Sequence, residues 1–106
     1  MTNEASLQDV EQALAQGATV LDVRESEEYA AGHLPGARLL PLGVLPVRMH
    51  ELVKDQPVFV VCQSGGRSAQ AQQLLARAGF DARSVSGGTA AWTSSGRPVE
   101  TGRPPT

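Results

Sequence analysis

Val58-Phe59-Val60-Val61-Cys62-Gln63-Ser64-Gly65-Gly66-Arg67-Ser68 is the stretch on which the fold turns. Its first half is apolar on both faces of any strand it forms, as the centre of a parallel sheet covered on both sides requires. Its second half is polar and glycine-rich, and reads as a loop delivering the chain into a helix. Beyond it, Ala71, Leu74, Leu75 and Ala78 recur at i, i+3, i+4 and i+7, and Gly79 closes the run. The helix is predicted to start near Ser68.

The same alternation extends in both directions. Ser6 and Asp9 form a capping pair ahead of Leu7, Val10, Ala13 and Leu14 at helical spacing, up to Gly17. Thr19 to Val23 reads as a buried strand. Ser26 is placed to cap a short helix through Glu27, Glu28, Tyr29 and Ala30, ended by Gly32. His33-Leu34-Pro35-Gly36 is turn chemistry, and Arg38-Leu39-Leu40 a short strand stopped by Pro41. Pro46 suits the first position of a helix with Val44 or Leu45, Met49, Leu52 and Val53 on one side. Arg83 to Ser86 is a last strand, and Thr89 is placed to cap a closing helix carrying Trp92. Four strands are clear; a fifth is available only from the first few residues. Strands separated by helices imply βαβ units, so the expected class is α/β, with a mostly parallel four- or five-stranded sheet and helices on both faces. The expected organisation is one domain over 1–99 and a flexible tail over 100–106.

Composition narrows the function. The 106 residues, 41% hydrophobic, suffice for one domain. Such a chain hides roughly two-thirds of its unfolded surface, enough to fold without disulfides or a structural metal. Nine Lys+Arg against eleven Asp+Glu leave a net charge of −2 with no basic stripe, which argues against a nucleic-acid partner. No polybasic cluster suggests a membrane anchor, and Val58 to Cys62, the longest strongly apolar run, falls far short of the ~18 residues of a spanning helix. Met1 to Ala5 shows no signal-peptide pattern, and a cytoplasmic protein is expected. The single cysteine excludes an internal disulfide and a thiol-only zinc site. His33 and His50 lack ligands at metal spacing, and neither a metal nor an organic cofactor is expected.

Cys62 is therefore the residue to explain. In an open parallel sheet, ligands bind beyond the carboxyl ends of the strands, and Cys62 ends the central one. Loop amides turned inward form an anion-binding nest. The following helix aims its positive end at the same spot, and Arg67 adds a full charge. All three favour the thiolate, so a lowered pKa and a nucleophilic sulfur are expected. The plainer alternative is a small buried core residue.

With these residues in view, the whole chain resembles a single rhodanese domain, the sulfurtransferase module. The resemblance rests on Leu21-Asp22-Val23-Arg24-Glu25 with Glu28-Tyr29, and on Gly32-His33-Leu34-Pro35-Gly36-Ala37. The loop Cys62-x-x-Gly65-x-Arg67-Ser68 and the late Gly87-Gly88, Trp92 and Gly96-x-Pro98 complete it, in order, over roughly residues 6 to 99. It implies a rhodanese-like three-layer sandwich with Cys62 at the base of a cradle-shaped loop. It also implies that Cys62 takes sulfane sulfur from a donor such as thiosulfate, as a persulfide, and passes it to cyanide or another thiophilic acceptor. Gln63, Ser64, Gly65, Gly66, Arg67 and Ser68 would bind the substrate, Arg67 at its sulfonate end, and no cofactor is needed. The loop's second position, often Arg in thiosulfate-using members, is here the neutral Gln63. That lowers the expected affinity for thiosulfate and leaves a protein-bound or low-molecular-weight persulfide as another donor.

Three residues have supporting readings. Asp22 and Arg24 are expected on opposite faces near the strand end, or just past it, with Glu25, Glu27 and Glu28 close by. Arg24 is either a substrate cation or, the favoured reading, the partner of a nearby carboxylate that braces the loop. His33 is expected as a hydrogen-bonding turn residue rather than a base, since a preformed thiolate needs none. Trp92 is expected to pack, and Ser68 to cap the helix or donate to the sulfur.

Two other functions compete. A cysteine phosphatase or arsenate reductase would need a wider Cys-x5-Arg loop, whereas Cys62-x4-Arg67 is one residue shorter and suits a single sulfur atom. A non-catalytic binding module would usually have lost the cysteine that this chain keeps.

Overall fold

The computed structural model describes residues 3–104. Its elements are β1 (Glu4–Ala5), α1 (Leu7–Ala15), β2 (Thr19–Asp22), α2 (Ser26–Ala31), β3 (Arg38–Leu39), α3 (Leu45–Arg48), β4 (Val58–Val61), α4 (Gly66–Arg77), β5 (Ala82–Val85) and α5 (Gly88–Ser94). The strands form one sheet in the order β1-β5-β4-β2-β3, every pair parallel. The apolar run at 58–61 is the middle strand, buried at every position. The fifth strand does come from the first few residues, as a two-residue edge on β5.

Alternation along β4 divides the interior. Val58, Val60 and Cys62 face a core with Leu45, Ala71, Leu75 and Phe80, beneath α3 and α4. Phe59 and Val61 face the opposite core with Val10, Ala13, Leu34 and Trp92, beneath α1 and α5. Both faces of the sheet are therefore covered, giving the three α/β layers expected. Removing two methyl-bearing faces from water is the main source of stability in such a layer.

Local signals hold at α1, where Ser6 Oγ accepts from the Asp9 amide and Asp9 Oδ2 from the Ser6 amide, both at 3.0 Å. Elsewhere the caps shift. Glu25, not Ser26, precedes α2, and its amide donates to Glu28 Oε1 at 3.1 Å, leaving Ser26 as the first helical residue. α4 begins at Gly66, two residues before the expected start, because Gly65 takes a positive φ and turns the chain directly into the helix. Ser68 consequently lies within the first turn and is not the cap. Gly87, in the left-handed conformation, precedes α5, so Thr89 is helical as well, and its hydroxyl has no partner.

The segment after β3 is no single amphipathic helix. A 3-10 turn at Leu42–Val44, the four-residue α3 and another 3-10 turn at Met49–Glu51 follow one another. None is long enough to sustain one apolar face, and Val53 is left exposed while Leu45 is fully buried. Pro46 is the second residue of α3 rather than the first.

Of the stretch 100–106 expected as a flexible tail, Glu100 and Gly102 are hydrogen-bonded to the domain, and 105–106 lie outside the described residues. Glu100 exchanges backbone hydrogen bonds with His33, both 2.9 Å, and the Gly102 amide donates to Ala30 O at 2.8 Å. Trp92 is buried as expected, and its Nε1 donates to Pro98 O at 2.7 Å. Among the described residues no helix is long and apolar enough to cross a membrane.

Candidate functional site at the end of the central strand

Cys62 follows β4 directly and is 1% exposed. The chain then has only Gln63 and Ser64 before Gly65 turns it into α4, and this tightness aims the loop amides back at the sulfur. The Gly65 N–H donates to Cys62 Sγ at 3.1 Å. Ser68 Oγ, reaching back from the first turn of α4, stands 3.5 Å from the same sulfur. It also lies 3.1 Å from Gly65 O and 2.7 Å from Ser84 Oγ of β5. Ser84 thus supplies the hydroxyl that fixes Ser68, a buried partner that no local motif marks.

Two opposed effects act on the thiol. Burial alone pushes its pKa up; the Ser68 hydroxyl and the amides of Ser68, Gly65 and Ser64 pull it down. The hydrogen bonds win, and the thiol lies below its ordinary value of 9.0. Hydroxyl and amide donors do this work. The Arg67 guanidinium is turned instead to Glu28, with Nη1 on Oε1 at 2.7 Å and Nη2 on Oε2 at 2.8 Å. That fork holds the Glu28 carboxyl at about 2, against an ordinary 4.5.

Asp22 ends β2 and Arg24 lies just past it, one of the two placements expected, but in a bend that brings their side chains together rather than onto opposite faces. Arg24 Nε and Nη2 donate to the Asp22 carboxylate at 2.9 and 2.7 Å, and both residues are buried. The remaining Arg24 donors reach Gly32 O at 2.7 Å and Gln63 Oε1 at 3.1 Å. Arg24 is thereby a brace, tying the end of β2, the end of α2 and the first loop residue together. Its carboxylate partner is Asp22 rather than the acids of α2, and Glu28 belongs to Arg67.

The structure brings Cys62, Gln63, Ser64, Gly65, Gly66, Arg67 and Ser68 together, with Asp22 and Arg24 behind them. His33 is elsewhere. It is buried, its ring stacks on Tyr29 at 3.6 Å, and its Nδ1 is 2.7 Å from Tyr29 O. Its backbone bridges to Glu100. A groove of about 350 Å³ opens beside the loop, lined among others by Arg24, Glu28, Gln63, Thr89 and Thr93. A larger cavity of about 710 Å³, lined by Tyr29, His33, Arg38 and Arg48, contains no residue of the cysteine loop. Among the described residues no three His, Cys, Asp or Glu cluster as a metal site.

One further contact escaped the sequence reading. The Thr89 and Ala90 amides donate to the carbonyls of Cys62 and Gln63 at 2.8 and 3.0 Å, docking the start of α5 on the loop. The Gly87-Gly88 pair was the available signal, since only a bare backbone permits that approach.

The sequence and the fold are similar to those of other proteins. A sulfurtransferase of Allochromatium vinosum is 38% identical over 102 residues, covering 93% of this chain and 95% of the relative. The crystal structure of a rhodanese-related protein from Thermoplasma volcanium matches at TM-score 0.86 and 31% identity, over 92% of this chain and 97% of that one. A thiosulfate sulfurtransferase from Pseudomonas aeruginosa matches at TM-score 0.84 and 28% identity, over 97% of this chain but 21% of that one. The family model of the rhodanese-like domain spans residues 6–95, nearly all of the two cores and the whole loop. By sequence and by fold, this chain belongs to the rhodanese-like domain family.

Proposed function

We propose that this protein is a sulfurtransferase that carries sulfane sulfur as a persulfide on Cys62. The observation that carries this reading is the Gly65 amide on Cys62 Sγ at 3.1 Å, within a loop whose other donors converge on the same atom. A site that stabilises negative charge on a buried sulfur suits both the thiolate and the terminal sulfur of a persulfide. The relative named sulfurtransferase and the structural match named thiosulfate sulfurtransferase support the same chemistry.

In the first half-reaction the Cys62 thiolate attacks the outer sulfur of thiosulfate. The new S–S bond forms as the bond to the sulfonate sulfur breaks, and that electron pair leaves with sulfite. In the second, cyanide or a thiol acceptor takes the terminal sulfur, and the electron pair of the breaking S–S bond returns to Cys62 as thiolate. This is covalent catalysis in two displacements, with ping-pong kinetics. Cys62 is the nucleophile; Gln63 to Ser68 form the cradle; Asp22 and Arg24 hold it in place, and His33 secures the preceding turn. The partners are small sulfur-containing anions such as thiosulfate, or a protein that donates or accepts persulfide sulfur. A reducing cytoplasm is the compartment in which such a thiol stays free.

Intact mass spectrometry of the reduced protein, exposed to thiosulfate and then to cyanide, tests this. The expected result is a gain of one sulfur that cyanide removes and that Cys62→Ser never shows. Loading that persists in Cys62→Ser would overturn the reading. A reduced, alkylatable Cys62 that gains no sulfur from thiosulfate, mercaptopyruvate or glutathione persulfide would instead indicate a binding module.

A further inference from the structure

We infer that Glu28 is the residue that sets donor charge preference at this site, by compensating Arg67 and so disfavouring dianionic donors such as thiosulfate relative to persulfides on an uncharged organic body. The inference deepens the proposed function and rests on Cys62 being the sulfur carrier. Two guanidiniums stand around the loop, Arg24 and Arg67, and each is forked onto a carboxylate, Asp22 and Glu28. The four sum to zero.

The two pairs are not equivalent. Asp22–Arg24 is sealed in, with side chains 0% and 3% exposed, and has a bracing task that leaves it no freedom. Arg67–Glu28 is about a third exposed on both sides, at 37% and 35%, and Glu28 lines the groove beside Gln63. Glu28 is also held in place from its own side: as the third residue of α2 it accepts the Glu25 amide on Oε1, so the carboxylate is fixed before Arg67 meets it. A substrate oxyanion that needs Arg67 must therefore compete with a preorganised carboxylate already in bidentate contact. With Arg67 neutralised in this way, a dianion gains no net attraction from the pair, whereas an uncompensated Arg67 would attract it twice as strongly as a monoanion.

The adjoining groove points the same way. Among the described residues its lining offers one anion, Glu28, and one cation, the committed Arg24, with Gln63, the exposed Thr93 and the aliphatic Val99; the Thr89 hydroxyl itself is buried. A hydroxyl, an amide and a methyl-bearing side chain fit an uncharged organic body that hydrogen-bonds. They do not fit a sulfonate. For such a donor, R–S–SH, the Cys62 thiolate takes the outer sulfur, with its hydrogen, as the S–S bond between the donor's two sulfurs breaks. The electron pair leaves on the thiolate RS⁻, and no charge beyond that of the reacting sulfurs needs a partner.

The test uses sulfur loading kinetics on the full chain with two donors, thiosulfate and the persulfide of 2-mercaptoethanol. Glu28→Gln is expected to lower the KM for thiosulfate about tenfold, the scale of one unit charge removed near a dianion at surface-like screening. Its kcat should stay close to that of the wild type, and its constants for the organic persulfide should hardly move. Glu28→Asp, which restores the charge, should return the donor ratio towards the wild-type value. If Glu28→Gln leaves that ratio unchanged, or depresses both donors together, Glu28 is only a brace and the inference fails. The wild type supplies a reading that depends on no variant folding: its thiosulfate KM should stay nearly flat with added NaCl, because the rim is neutral. A KM that climbs steeply with salt would reveal an uncompensated cation and overturn the inference. A wild type that loads from neither donor would be a different failure, that of Cys62 as sulfur carrier, and the inference would fall with it.

Discussion

Gly88 stands against the carbonyl oxygen of Cys62 so closely that any β-carbon at position 88 would overlap it. The same β-carbon would lie 2.7 Å from the Gln63 oxygen and 2.8 Å from its carbonyl carbon. The start of α5 is thus laid directly on the backbone that carries the cysteine, and the Thr89 and Ala90 amides fasten it there. The loop's shape is held from two sides, by α4 ahead and by α5 across the sheet end.

Gly88→Ala should therefore damage stability and sulfur loading together. Gly88 also has φ near +60°, so the substitution combines backbone strain with a clash against backbone that cannot swing aside. A loss of about 3 kcal/mol in urea unfolding is expected. Wild-type stability in Gly88→Ala would show that α5 does not bear on the loop.

Gly65→Val isolates strain from clash. Its φ is +126° and no atom lies within 4 Å of a β-carbon built there, so only the backbone conformation objects. A cost of about 1–3 kcal/mol is expected. Because the Gly65 amide must move off the sulfur, alkylation of Cys62 should become slower at neutral pH. Unchanged alkylation would mean that the amide does not tune the thiol.

The lowered Cys62 pKa has a direct readout in the pH profile of iodoacetamide alkylation, whose midpoint should fall below the ordinary 9.0. Ser68→Ala removes the largest of the lowering contributions and should move that midpoint upward. A midpoint that stays put in Ser68→Ala would rule the hydroxyl out as a donor to the thiolate.

Breaking the buried pair should be costly. Arg24→Ala leaves Asp22 fully buried without its counter-charge, and about 3–5 kcal/mol of stability should be lost. Asp22→Asn combined with Arg24→Ala should recover part of it, since the double variant buries no unpaired charge. Strict additivity of the two losses would argue against the pair acting as a unit.

Glu28 gives a pH signature of its own. Its carboxyl lies at about 2 when folded, against an ordinary 4.5, so the folded state binds its proton less readily than the unfolded chain. The stabilisation is complete above the ordinary value and is lost as pH falls through the folded one. The stability difference between wild type and Glu28→Gln should therefore be full above about pH 4.5 and shrink steadily towards pH 2. Parallel stability curves across that range would contradict the ion pair. Because both partners are about a third exposed, the difference should be modest and salt-sensitive.

Much of this was legible before any coordinate. The double-sided apolar run at 58–61 announced a central parallel strand, and the Ser6–Asp9 pair announced the start of α1. The position of Cys62, after a strand and before a glycine-rich turn, announced the site. Each signal is local: periodicity, a cap three residues away, or a loop composition. Where local signals compete, the reading slipped. Ser26, Ser68 and Thr89 all look like caps, yet Glu25, Gly65 and Gly87 take those positions. A hydroxyl's capping preference is worth about 1 kcal/mol, and a turn imposed by packing outweighs it.

By itself, then, the sequence determined the α/β class, the central strand and the sulfur at its end, because these follow from which residues shun water and which turn the chain. Partner choice belonged to the tertiary structure alone. Any guanidinium can pair with any carboxylate, and this sequence offers Arg24 and Arg67 several. Only the folded approach of β2, α2 and the loop assigned Asp22 to Arg24 and, across 39 residues, Glu28 to Arg67. Compensation of Arg67 is a long-range property, set across 39 residues by distances that no local pattern encodes, whereas Arg24 finds its partner two residues away.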